Sequence, residues 1–268
     1  MRVLNHIQAM RNHNRERMAI ILKHRMLVFS VLLSLAVFMF SSCDEHDPLD
    51  LGIHPGFVLC DDHQVMSLDD YKAQLEGPHA AVAVGVIFAT ANEEHKTLAV
   101  MLFENEGISY SNYIPLDCGS TRDDKAFDGY INSVNMNSTY EKKKYKVDEP
   151  DPDDPTKTVT VEYEEEHFSP LGRWVFDSHR NGQSDHIPSY AECRLLYSVV
   201  NTVNATIREL GGQEISVTND NSCWYWTSTE DQVDPQNRAW LCSMGTGGFQ
   251  QTPKTERHRA RAIVALNY

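Results

Sequence analysis

The sequence predicts an α+β fold with antiparallel sheet, and three stretches carry that expectation. The first is residues 223–268, where short apolar runs alternate with turn signals. Trp224 and Trp226 sit two apart, so on a strand both indoles face one side. Ala239-Trp240-Leu241-Cys242 is a second short run, Gly245, Gly247 and Gly248 mark a turn, and residues 261–266 form a β-prone end strand. These runs predict an antiparallel sheet at this end of the chain. The second stretch is residues 189–211, a helix. Leu195, Leu196, Val199, Val203 and Ile207 recur at helical spacing, Ser189 and Glu192 form a capping-box pattern, and Gly211-Gly212 stops it. The third is residues 140–168, read as an inserted hairpin. Two β-prone segments, 142–147 and 158–163, flank an acidic tip with Pro150, Pro152 and Pro155, which can form neither ladder nor core.

Taken in order, the chain begins with an address. Residues 26–40 are an apolar run behind Lys23, His24 and Arg25, short for a spanning helix and matching a secretory signal. The expected division is 1–42 as signal, with residues 1–17 or 1–25 read as an over-extended start, then 43–56 as tether and 57–268 as one domain. Ser41-Ser42-Cys43 resembles the lipobox of bacterial lipoproteins. That resemblance implies cleavage before Cys43 and acylation of its thiol by palmitate-type chains, anchoring the protein to the membrane. Asp44, Glu45 and Asp47 resemble the surface-export signal of lipoproteins in the Bacteroides group, so the expected location is the outer membrane, surface-exposed or periplasm-facing.

Within the domain, residues 57–60 read as a strand, Asp61-Asp62 as a turn, and Ser67 as the cap of a helix over 68–75. Residues 80–89 and 96–103 predict a hairpin, with Gly85 marking a bulge or a close approach. A helix is expected over 124–135 with Phe127, Tyr130 and Ile131 on one face.

Composition narrows the function. The 268 residues include 41% hydrophobic residues, enough for a sizeable core, and carry a net charge of −14. Residues 1–42 hold six of the 24 basic residues and one of the 38 acids, so the remainder carries −19. Such a surface is unsuited to nucleic-acid phosphates. The His residues show no zinc spacing, Ser228 sits in no nucleophile elbow, and no phosphate-binding loop appears, so neither a catalytic residue nor a cofactor is expected. Asp234-Pro235-Gln236-Asn237 has the residue types of a Ca²⁺-lectin loop, but no Trp-Asn-Asp follows it. The acidic tip lacks the ligand spacing of an EF-hand. After Cys43 five cysteines remain, an odd number, which leaves at least one thiol free and the pairing open. Lys254, Arg257, His258, Arg259 and Arg261 make a basic cluster that either binds an acidic ligand or pairs internally.

Several phrases resemble one family. They are Pro188-Ser189-Tyr190-Ala191-Glu192 with Leu196, Tyr225-Trp226-Thr227-Ser228-Thr229-Glu230, Ala239-Trp240, the Arg259-Ala260-Arg261-Ala262 end, and the hairpin around Gly85-Val86-Ile87-Phe88. Together they are similar to a bacterial domain family of unknown function, shared with the C-terminal domain of a collagen-like adhesin. The resemblance spans about 80–268, outside the inserted hairpin. It implies a C-type-lectin-like fold with two main helices, and recognition of a glycan or a surface protein more than catalysis. On that reading Glu192 and Glu230 are structural, and Trp240, Arg257 and Arg259 are the candidate ligand-binding residues. The alternative is a structural or assembly component of a surface organelle such as a pilus. A third reading is a modifying enzyme like the formylglycine-generating enzyme, although its cysteines match neither Cys223 nor Cys242 by local pattern.

Overall fold

The computed structural model describes residues 52–266, apart from 78–79, 114 and 179–184. The readings of the signal, of Cys43 and of the acidic cluster after it lie outside the described residues. The compact unit begins at Ile53, inside the stretch read as tether. Gly56 joins it through its N–H, which donates to Ile87 O at 2.8 Å, and through its carbonyl, which accepts from Thr206 Oγ1 at 2.9 Å.

The fold is α+β, with mostly antiparallel strands. Its main sheet runs β10 (Phe249–Pro253), β9 (Arg238–Ser243), β8 (Trp224–Glu230), β11 (Arg257–Leu266), β4 (Thr97–Ser109), β3 (Ala83–Ala89), β1 (Val58–Cys60) and β2 (Val65–Met66), with β7 (Asp185–His186) also on β11. The 80–103 hairpin forms as expected, antiparallel with Gly85 opposite Met101. Gly85 answers a close approach: a Cβ there would lie 2.8 Å from Val100 O.

Side-chain alternation divides the core. Val86, Phe88, Val100, Tyr225, Cys242 and Ile263 face one way. Ile87, Ala99, Met101, Trp226, Leu241, Ala262 and Val264 face the other. Helix α4 (Tyr190–Glu209) covers the first face with Leu196, Val200, Val203 and Ile207. Its capping box is formed, with Ser189 Oγ accepting from Glu192 N and Glu192 Oε2 from Ser189 N. Helices α2 (Gly129–Ser138) and α3 (Pro170–Asp177) supply Met136, Leu171 and Val175 to the second face. Helix α1 (Leu68–Gln74) is capped by Ser67, which accepts from Asp70 N. Strands β5 (Tyr140–Pro150) and β6 (Thr158–Phe168) form a separate two-stranded sheet, the inserted hairpin.

Two expectations are corrected. Strands β8 and β11 are parallel, not antiparallel, because β9 and β10 add outward from β8 before the chain returns to the middle of the sheet. Helix α2 starts at Gly129 and buries Gly129, Asn132, Ser133 and Met136, whereas Tyr130 and Ile131 are 43% and 52% exposed. The approach is too tight for a larger face: a Cβ on Gly129 would lie 2.6 Å from Ile187 O. Trp226 lies on the face away from α4, with Nε1 donating to Ile108 O at 2.8 Å. Tyr225 and Cys242, not the indoles of β8, meet the long helix.

Candidate functional site

The basic cluster does not form one surface. Lys254 is fully buried, donating to Leu116 O at 2.5 Å, to Pro235 O at 2.6 Å and to Glu230 Oε1. Glu230 in turn accepts from Cys118 N at 2.8 Å and Ser120 N at 3.1 Å, so the pair pins residues 116–120 and the loop after β8. Arg261 is also buried, its Nε 3.2 Å from Glu104 Oε2. Burial pulls its pKa below the ordinary value against the opposing pull of Glu104. Both residues therefore act inside the fold.

What remains outside is a groove of about 490 Å³ beside the start of β8. Arg257, His258 and Arg259 come to it from β11, Trp224 from β8, Gln250 from β10 and Glu106 from β4. Arg257 is exposed and donates to Gly107 O. Arg259 donates to Glu104 Oε1, which Gln213 Nε2 also reaches at 3.1 Å. Burial works against the charge of Arg259, and Glu104, Tyr225 and Glu106 together more than offset it, so its pKa is raised. Tyr225 OH completes the set around Glu104 at 3.0 Å, and burial pushes that phenol's pKa up. His258 sits edge-on to Trp226 at 5.3 Å, with Nε2 3.2 Å from Glu256 Oε2.

Of the residues singled out from sequence, the structure brings Arg257 and Arg259 together in this groove. Trp240 is elsewhere: it meets Tyr190 edge-on at 5.4 Å, and Tyr190 stacks on Phe249. Sequence reasoning missed Trp224 as a lining residue. Its signal was the two-residue spacing from Trp226, which puts one indole in the core and the next at the sheet's margin. Gln250 was missed because the polar run of β10 was assigned no element from sequence.

Chemically the groove combines an indole face, two guanidiniums, an amide and carboxylates. Those groups suit recognition of a polar or anionic ligand. Among the described residues, no group of three or more His, Cys, Asp or Glu side chains is placed to hold a metal ion. The five cysteines Cys60, Cys118, Cys193, Cys223 and Cys242 are buried. Burial raises Cys60 to about 11 and Cys118 to about 12.

One solved structure frames the fold. It is a fimbrial protein from Bacteroides ovatus ATCC 8483, similar with a TM-score of 0.51 at 14% identity, over 80% of this chain. The chain spans about half of that structure, 49% of its length. No family model matches the sequence, and no curated protein does. Among the described residues, no helix is long and apolar enough to cross a membrane.

Proposed function

We propose that the protein is a non-enzymatic component of a cell-surface fibre, a structural or assembly subunit of the fimbrial type. The observation that carries this reading is the fold shared with a fimbrial protein over four-fifths of the chain. The N-terminal address fits it: acylation at Cys43 would hold the subunit to the outer membrane with the domain outside. The test is to shear fibres from producing cells and probe the fraction. The protein should sediment with the fibres, and deleting its gene should reduce their number or length. Absence from the sheared material, with fibres unchanged in the deletion strain, would reject the reading.

A second reading, adhesion to a glycan or a surface protein through a C-type-lectin-like domain, is favoured by the Trp224–Arg257 groove. Half-buried indoles beside hydrogen-bonding side chains suit sugar rings, and guanidiniums suit carboxylated ones. A glycan array on the protein separates the two, since a purely structural subunit retains no sugar above background. Neither reading calls for a cofactor or a nucleic-acid partner.

A further inference from the structure

A second cavity, of about 520 Å³, opens on the other part of the fold where α2 begins. Its walls include Phe127, which precedes helix α2, and Tyr130 and Ile131, which that helix turns away from the core. His95 leans on Phe127 with ring centroids 4.8 Å apart, and Tyr130 stands edge-on to His186 at 6.0 Å. The polar side is anionic. Glu192 is nearly fully buried, with Oε2 held by Ser189 N at 2.7 Å and Oε1 3.6 Å from His186 Nε2. Asp128 accepts from Asn132 Nδ2 at 2.9 Å and from Thr121 Oγ1.

We infer that this cavity binds an alkylammonium group, with Phe127 and Tyr130 against its alkyl substituents and Glu192 and Asp128 facing its charge. Three observations select that class. Glu94, Asp128 and Glu192 place three carboxylates on the lining against one ammonium, Lys96, so the field disfavours anions. The volume exceeds what a bare metal ion needs, and no metal-ligand cluster occurs among the described residues. Aromatic rings beside a carboxylate form the arrangement in which an organic cation gains both cation–π and charge attraction. Burial, and after it the neighbouring Glu192 charge, raise the Asp128 pKa, as expected where negative charge is crowded and an incoming cation relieves it.

The same chemistry could arrive as a lysine side chain of another protein or as a free amine, and titration calorimetry on the full-length protein separates them. The probes are choline, n-butylammonium, Nα-acetyl-lysine methylamide with its ε-ammonium free, and 3,3-dimethyl-1-butanol, the uncharged shape analogue of choline. The cations should bind saturably, and the alcohol at least roughly tenfold more weakly. Tyr130→Ala and Glu192→Gln should each weaken cation binding by about tenfold. The Gln variant keeps the capping box, so its melting temperature checks that the fold survives. Tighter binding of the lysine derivative than of butylammonium assigns the site to a protein partner, and the reverse order assigns it to a free amine. Equal affinity for choline and the alcohol, no cation binding, or indifference to both substitutions overturns the inference.

Discussion

Lys254 and Glu230 form an ion pair from which water is excluded, with both side chains 0% exposed. The ammonium also lies over the ring of Tyr110, 4.7 Å from its centroid, and two backbone carbonyls take its remaining protons. Every donor on the ammonium is thus used, which is the condition under which a buried charge is tolerated. Removing one partner strands the other. Lys254→Met should destabilise the fold by about 3–5 kcal/mol in a denaturant titration. Adding Glu230→Gln should recover part of that loss, because it removes the unpaired buried charge while the one amide oxygen keeps one of the two bonds from Cys118 N and Ser120 N. A double variant no more stable than Lys254→Met alone would show that the pair's charge is not what matters.

Trp224, not Trp240, should carry any glycan affinity of the groove. Trp224→Ala is expected to reduce binding to an array-identified glycan by roughly tenfold or more, and Trp240→Ala to leave it within about twofold. Both variants should keep the fold, since neither indole is fully buried. Loss of binding on Trp240→Ala alone would move the site to the Tyr190–Phe249 cluster.

Gly129 and Gly119 test two different demands on glycine. Gly129→Ala drives a methyl into the backbone of Ile187 and Ser189 and should cost about 1–3 kcal/mol. Gly119 has open space around it but a φ of +68°, so Gly119→Ala should cost about 1 kcal/mol through backbone conformation alone. Thermal melts of the two variants rank them.

Asp128 gives the acid side of the stability profile a definite slope. Its pKa is raised in the folded state above the ordinary 3.8, chiefly by burial. The folded protein therefore binds its proton more tightly than the unfolded chain does. Stability contributed by this group falls as pH rises from 3.8 through the raised value. Asp128→Asn should flatten that segment of a melting-temperature profile, and an unchanged profile would rule the assignment out.

The buried thiols should resist alkylation. With Cys60 held at about 11, only about one molecule in a thousand carries its thiolate at pH 8. A maleimide at that pH should label none of the five cysteines beyond Cys43 in the folded protein and all five after denaturation, counted by mass spectrometry. Rapid labelling of the folded protein would show that one of them reaches solvent.

Much of the frame was legible because its signals are local. The Ser189–Glu192 box, the apolar stripe after it and the Gly211 stop place α4 almost to the residue, and the 80–103 pair is read from apolar runs around a turn. The inserted hairpin also follows from composition, since its ion pairs, such as Lys142 with Glu164 and Lys144 with Glu162, keep it soluble without a core. What stayed hidden depends on partners distant in sequence. Helix α3 is short and its Ser169-Pro170 start was passed over. Strand β10 reads Phe-Gln-Gln-Thr-Pro, polar because one side faces solvent. The inward face of α2 is polar and glycine-containing because backbone from another segment presses on it, and no helical periodicity reveals that. The groove was half visible, through Arg257 and Arg259. Its indole wall depends on where a parallel neighbour stops, which only the assembled sheet determines.

That parallel neighbour has a temporal consequence. Strand β11 follows the other described strands in chain order, yet it lies between β8 and β4 and joins the two halves of the sheet. Until residues 257–266 have been made, the two halves of the sheet lack the strand that joins them. Closing the sheet is therefore a late, long-range step, slow beside the formation of the local hairpins and helices.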